Sequence, residues 1–302
     1  VCQKQHIGGR WSSNELGHHI NYLELLAMYH GIKSFCKDMS NKAHIQIRTD
    51  NKCAMSYINS MGGNKSHDCN DLARQIWLWC IDRNFWISAS FIPGSENPAD
   101  HDSRHYNDNV EWKLDPYILG IIFSKWNTPD IDMFASRLNR QLKRYASWKP
   151  DPEAEIIDAF TCSWSDLYMY VFPPFSLISR LVAKLKQDQG ECILIAPVWT
   201  SQTWFPSVMG MITDTPYLLP KDENLLTIPG TTKCHPLRKK MNLMACLLSG
   251  DQSKVEMFLQ KQPVSSWRRG DPEHKNSTRP TSRDGFATVV KGKLINFKRI
   301  QV

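Results

Sequence analysis

Residues 43–61, AHIQIRTDNKCAMSYINSM, carry the pattern that decides the fold. Ile45, Ile47 and Thr49 alternate with polar residues, as on a strand with one buried face. The period then changes, and Cys53 to Met61 reads as a short helix ended by Gly62-Gly63. The same switching continues on both sides. Asn21 to Phe35 (NYLELLAMYHGIKSF) places Leu25, Met28, Tyr29 and Ile32 at helical spacing. Asn70 to Asn84 reads as a helix, Phe85 to Ile92 (FWISASFI) as a strand, and Pro93-Gly94 as a turn. Helix, strand, helix, helix, strand over residues 1–112 predicts an α/β domain.

A second α/β rhythm follows over residues 113–229. Ile131 to Phe134 and Leu167 to Phe172 are strand candidates, Leu177 to Lys186 is helical, Cys192 to Ala196 (CILIA) is a buried strand, and Trp204 to Ile212 is helical. The third segment, 230–302, begins after Pro229. Helices are expected from Pro236 to Leu248 and from Gln252 to Gln262, and poor order over 265–284, which is polar and rich in Gly and Pro.

Composition narrows the classes. Of 302 residues, 41% are hydrophobic and 22% charged, which is globular rather than disordered. The longest apolar run, Tyr117 to Trp126, falls short of the ~20 residues a membrane span needs, so no membrane association is expected. The opening VCQKQHIGGRW has no initiator Met and no apolar segment, which suggests a fragment of a longer protein without a signal peptide. The net charge is +7, and residues 230–302 alone hold 15 Lys and Arg against 5 Asp and Glu. A basic tail fits contact with nucleic acid, or is a solvated linker. Nine Cys without a C-x-x-C pair make a disulfide framework or structural zinc site unexpected, and point to reduced thiols in the cytosol or nucleus. The adjacent pairs His18-His19 and Cys234-His235 read as structural or surface residues.

Three carboxylates stand out. Glu24 sits mid-helix on a largely apolar stretch, Asp50 ends a strand, and Asp100 follows the Pro-Gly turn. Carboxylates at such positions can face one cleft, and their mutual repulsion is relieved by a bound cation. Hard oxygen ligands favour Mg²⁺ or Mn²⁺, and two such ions can clamp a scissile phosphate. The structural alternative has Glu24 in a hydrogen bond, with Asp50 and Asp100 capping helices.

The stretches GRWSSNELGHHINYLELLA (9–27), IQIRTDNKCAMSYI (45–58) and FIPGSENPADHDSR (91–104) resemble, in that order, the ribonuclease H domain of retrotransposon polyproteins, especially DIRS-type elements. The resemblance covers about residues 8–112. It implies a ribonuclease H-like mixed sheet, N-terminally truncated, whose first strand and its aspartate are missing. It also implies metal-dependent hydrolysis of the RNA strand of an RNA–DNA hybrid, with Glu24, Asp50 and Asp100 as catalytic and metal-binding residues. The implied partners are the hybrid and an upstream reverse transcriptase. With one aspartate missing, the chain alone is expected to be inactive. Asp102 is read as a supporting or surface residue, and His101 and His105 as candidates for product release. Lys65, in the Gly62-Gly63-Asn64-Lys65 turn, and Arg104 are candidate nucleic-acid contacts. Trp77 and Trp79, two apart on a helix, cannot both face inward.

The stretches PDIDMFASRLNRQLKRYASWKPDPEAEIIDAFTCSW (129–164), YVFPPFSLISRLVAKL (170–185) and CILIAPVWTSQTWF (192–205) are similar to the region after ribonuclease H in these elements, and to phage-type DNA adenine methyltransferases. That resemblance implies a Rossmann-like domain over 113–229, with the motif Phe172-Pro173-Pro174-Phe175. Asp132 and Asp158 would fall where cofactor-binding carboxylates could lie. The family has Asn or Asp where this chain has Phe172, which cannot accept a hydrogen bond from an amine. The domain therefore reads as degenerate, and S-adenosylmethionine is not expected as a cofactor, although Phe175 could stack on an extruded base. The leading reading is the retrotransposon ribonuclease H segment. The alternatives are a non-catalytic nucleic-acid-binding or scaffold module, and an altered adenine methyltransferase.

Overall fold

A computed structural model describes residues 5–39, 42–100, 112–231, 233, 235–237, 240–265 and 286–301. The chain forms two units, Val1–Asp108 with Lys149–Ala154, and Asn109–Trp148 with Glu155–Val302.

The first unit runs α1 (Ile20–Cys36), β1 (Ala43–Thr49), α2 (Lys52–Asn59), α3 (His67–Asp82) and β2 (Phe85–Phe91). The strands pair in parallel, Ala43 opposite Phe85 through Thr49 opposite Phe91. The alternation read in the sequence is the burial pattern: His44, Gln46 and Arg48 are exposed, and Ile45, Ile47 and Thr49 face inward. Leu25, Ile32, Ile58, Ala73, Ile76 and Cys80 from the helices pack with Phe85, Ile87 and Ala89 of β2. Each helix start is capped by its sequence: His19 Nδ1 accepts from Asn21 N, Asn51 Oδ1 from Ala54 N, and Ser66 Oγ from Cys69 N. A polar cap of this kind typically contributes about 1 kcal/mol. Trp77 is buried and donates to the Ile58 carbonyl, while Trp79 is half-buried, as their spacing requires. The outer edge of β2 is closed by a side chain. Asn59 Nδ2 donates to the Ala89 carbonyl and its Oδ1 accepts from Ala89 N, both at 2.8 Å. The outer edge of β1 pairs with no strand among the described residues.

The second unit begins β3 (Lys113–Leu114), α4 (Pro116–Trp126), β4 (Ile131–Asp132), β5 (Ala146–Ser147), β6 (Ile156–Ile157), β7 (Tyr168–Val171), α5 (Ile178–Asp188) and β8 (Glu191–Pro197). It continues α6 (Trp204–Met209), β9 (Tyr217–Leu218), β10 (Leu226–Thr227), β11 (Leu243–Ser249), α7 (Gln252–Gln260), β12 (Ala287–Val290), β13 (Lys293–Asn296) and β14 (Lys298–Arg299). A mixed six-stranded sheet has the order β14-β9-β11-β8-β7-β4. Strands β4, β7 and β8 are parallel, and β11 is antiparallel to both β8 and β9. Both faces are covered. Cys192, Leu194, Ala196, Met244, Cys246 and Leu248 pack with α5, α6 and α7, and Ile193, Ile195, Leu243 and Ala245 pack with α4. Burial on both sides is why CILIA is a continuous apolar run rather than an alternating one.

One expected element is corrected. Residues 236–248, read as a helix within a basic tail, supply the strand β11, which pairs with β8 on one side and β9 on the other. Leu, Met and Ala favour helices in isolation, but central pairing in a sheet outweighs a preference of a few tenths of a kcal/mol per residue. The hairpin β12–β13 and Phe297 join the same core, so these parts of 230–302 belong to the second unit rather than to a linker. The stretch expected to be poorly ordered, 265–284, lies outside the described residues apart from Ser265. Cys53, Cys69, Cys80, Cys162, Cys192 and Cys246 are free thiols. No helix among the described residues is long and apolar enough to cross a membrane.

Candidate functional site

Asp50 follows β1 immediately and lies beyond the C-terminal ends of both parallel strands, where the backbone of the following loops leaves room for a ligand. Its neighbourhood is pinned from two directions. Ile92 N donates to the Thr49 carbonyl at 2.9 Å, which extends the pairing past the strand ends. Asn51 Nδ2 donates to Asn21 Oδ1 at 3.0 Å, tying the start of α2 to the first turn of α1. Asn21 and Glu24 are three apart on that helix and share a face. The tie therefore brings the Glu24 carboxylate toward Asp50. A Cβ on Gly94 would stand 3.1 Å from Asp50 Oδ2, so the glycine lets the turn after β2 approach the carboxylate closely.

The electrostatics follow from this geometry. Burial, and then the negative charge of Asp50, raises the Glu24 carboxyl above the usual glutamate range. Neither carboxylate has a hydrogen-bond or ion-pair partner among the described residues. The capping role open to Asp50 from sequence is taken by Asn51. Asn97 plays the same part at the later turn: its Oδ1 accepts from Ala99 N and its carbonyl from Asp100 N. Glu24 and Asp50 are thus brought together. No group of three or more His, Cys, Asp and Glu is placed to hold a metal ion among the described residues, so Asp100 does not complete a triad with them. Lys65 is exposed in the turn between α2 and α3, where Met61 and Gly62 take positive φ. Arg104, His101, Asp102 and His105 lie outside the described residues.

In the second unit the Phe172-Pro173-Pro174-Phe175 stretch leaves the C-terminal end of β7. Pro173 is buried, and the Pro174 carbonyl accepts from Leu177 N, opening the turn into α5. Phe172 and Phe175 are half-buried with ring centroids 6.3 Å apart, and Phe175 meets Trp199 edge-on at 5.3 Å. Phe175 therefore packs into the unit rather than standing free. Asp158 takes a positive φ and its Oδ1 accepts from Phe160 N, which makes it a turn residue.

Asp132 is different. It ends β4, is 2% exposed, and lines a small cleft with Lys113, Tyr170, Phe134, Phe172 and Trp112. Its Oδ2 accepts from Gln141 N at 3.0 Å and its Oδ1 from Phe134 N at 3.4 Å. Burial pushes the carboxyl up to about 7 against the pull of those two donors and of Lys113. Lys113 is itself lowered by burial, with Asp132 opposing. Lys113 and Tyr170 had not been legible as site residues. The signal available was a tyrosine inside the otherwise apolar run beside the Pro-Pro turn.

No protein-family model matches this chain, and no curated protein is significantly similar to it.

Proposed function

We propose that the first unit is a ribonuclease H-like nuclease module that acts on the RNA strand of an RNA–DNA hybrid, as in a retrotransposon polyprotein. The observation that carries this reading is the pair Glu24 and Asp50, two neighbouring carboxylates from α1 and the end of β1 with no partner among the described residues. Two adjacent anions left uncompensated cost folding free energy, and they persist where something else neutralises them. The donor set suits a hard divalent ion, Mg²⁺ or Mn²⁺. When bound in pairs, such ions activate a water and stabilise the leaving oxygen of a phosphodiester. The residues of this chain would hold and orient: Glu24 and Asp50 as oxygen ligands, the Asn51–Asn21 bond fixing their separation, and exposed Lys65 meeting the phosphate backbone.

With two carboxylates the site is a half-site. The outer edge of β1, unpaired among the described residues, is where a further strand would bring another carboxylate beside Asp50, as the upstream aspartate of the resembled family would. The chain alone is therefore expected to bind hybrid without cleaving it. The absence of a three-ligand group among the described residues favours, as a second reading, a module that binds nucleic acid without catalysis. The second unit is proposed as a Rossmann-like body without methyl transfer, because the Phe172 ring presents no acceptor to an amine.

The test is fluorescence-anisotropy binding of an RNA–DNA hybrid with and without Mg²⁺ or Mn²⁺. Affinity that rises with the divalent ion and loses that rise in Asp50→Asn and Glu24→Gln is expected. Binding indifferent to the ion and to both substitutions points to the non-catalytic module, and no hybrid binding at all contradicts both readings.

A further inference from the structure

An aromatic ring and a cation stand together at the rim of the first unit, beside the carboxylate pair but with no part in it. Phe91 is the last residue of β2 in the register that faces the core. Phe85, Ile87 and Ala89, which precede it on that face, are 2%, 2% and 8% exposed, whereas Phe91 is 46% exposed. The ring takes no part in the core formed by the helices and the rest of β2. Phe91 pairs with Thr49 across the two strands, and Asp50 follows Thr49 directly, so ring and carboxylate lie at the same end of the sheet. The turn after Phe91 carries Gly94 against the Asp50 carboxylate.

Lys52 opens α2 and holds its Nζ 5.1 Å from the centre of the Phe91 ring, within cation–π range. The side chain is exposed and makes no ion pair among the described residues, neither with Asp50 two positions earlier nor with Glu24. The ammonium turns to the ring instead of the carboxylates. The charge balance narrows what sits here. A divalent ion on Glu24 and Asp50 neutralises them, and Lys52 is then an uncompensated cation at the same rim. An anion completes the site. A lone inorganic anion would leave the Phe91 ring in water, whereas a nucleic-acid strand supplies a phosphate for the ammonium and an apolar sugar and base face for the ring. Neither side chain can read a base edge: the phenyl has no hydrogen-bonding group and the ammonium is a point charge.

We propose that Phe91 and Lys52 form a strand-positioning contact at the edge of the candidate site, the ammonium on one phosphate of the hybrid and the phenyl ring against the adjoining sugar or base. The contact is indifferent to sequence. It rests on the nuclease reading for where the hybrid lies, but it holds the strand and not the ion.

The experiment is a fluorescence-anisotropy titration of a labelled RNA–DNA hybrid with the full chain, with and without Mg²⁺ and over a range of KCl concentrations. The proteins are the parent, Phe91→Ala, Phe91→Leu, Phe91→Trp, Lys52→Gln and Asp50→Asn. Phe91→Ala and Phe91→Leu should bind about tenfold more weakly, and Phe91→Trp at least as tightly as the parent. Lys52→Gln should lower the slope of log affinity against log salt by about one, for one phosphate contact fewer. All of these variants should keep the rise in affinity with Mg²⁺ that Asp50→Asn loses. Phe91→Leu keeps an apolar group of similar reach at an exposed position and should melt with the parent, so its loss of affinity is not a loss of fold. Parent-like binding by Phe91→Leu, or an unchanged salt slope in Lys52→Gln, overturns the proposal and leaves the nuclease reading standing. A parent chain that binds no hybrid overturns both.

Discussion

Asp132→Asn isolates the energetic consequence of burying a carboxyl at the end of β4. Burial holds this group at about 7, whereas an aspartate in water titrates near ~3.9. Between about pH 4 and pH 7 the folded chain therefore keeps a proton that the unfolded chain has released. The stability carried by the protonated form is complete below about pH 4 and is lost as pH rises through about 7. At about 1.4 kcal/mol per pH unit, the displacement corresponds to roughly 4 kcal/mol by the alkaline side. Asparagine does not titrate, so it escapes that loss. It has one acceptor oxygen, however, for the two donors Phe134 N and Gln141 N. Leaving one of them unpaired costs about 1–3 kcal/mol. The variant should then be less stable than the parent by about 1–3 kcal/mol near about pH 4, and more stable by about 1–3 kcal/mol near about pH 8.5. Urea midpoints of both chains across that range measure the difference, and taking the difference cancels every other titrating group. A gap that stays flat with pH, or a parent chain that is the more stable at high pH, would mean that Asp132 is not a buried carboxyl held protonated by the fold.

Gly250→Ala tests the close approach between the end of β11 and α5. Its Cβ would meet the Leu185 carbonyl and stand 2.6 Å from the Gln189 Cα, both backbone, so the variant should lose about 1–3 kcal/mol or more in a denaturant titration. Thiol reactivity should follow burial. Burial lifts the Cys80 thiol to about 11 and raises Cys192 and Cys246 further, so all three should stay unmodified by iodoacetamide in the native chain and react after unfolding. Native-state alkylation of Cys192 or Cys246 mapped by mass spectrometry would contradict the sheet assignment.

The elements of the first unit were legible because their periods are clean and each start carries its own cap, as at Ser66 and Asn51. The strand β8 was legible because five consecutive apolar residues between Glu191 and Pro197 suit a doubly covered strand. The strand β11 was not, because Leu243–Ser249 has helix-favouring composition and its conformation is set by distant partners, β8 and β9. The hairpin β12–β13 had a readable signal, Lys291-Gly292 between alternating residues, and both positions take the positive φ of a two-residue hairpin turn. At the candidate site, sequence located Glu24 and Asp50 correctly on a helix and at a strand end. It could not say that Asn51 rather than Asp50 would cap α2, since the two adjacent residues are equally good caps. Nor could it show that Tyr170 lacks a partner, because that depends on the packing of β3, β4 and β7 around one cleft.

The nuclease reading of the first unit requires that Glu24 and Asp50 lie beside each other. The most direct measurement is the titration of the Glu24 side-chain carboxyl by carbon-detected NMR, in the parent chain and in Asp50→Asn. Burial and the neighbouring charge should hold Glu24 above the usual glutamate range in the parent. Removing the Asp50 charge should lower that midpoint and leave only the part due to burial, while added Mg²⁺ should lower it in the parent and have little effect in the variant. A Glu24 midpoint that is the same in both proteins and unmoved by Mg²⁺ would mean that the two carboxylates do not meet, and that the first unit has no cation site to support a nuclease.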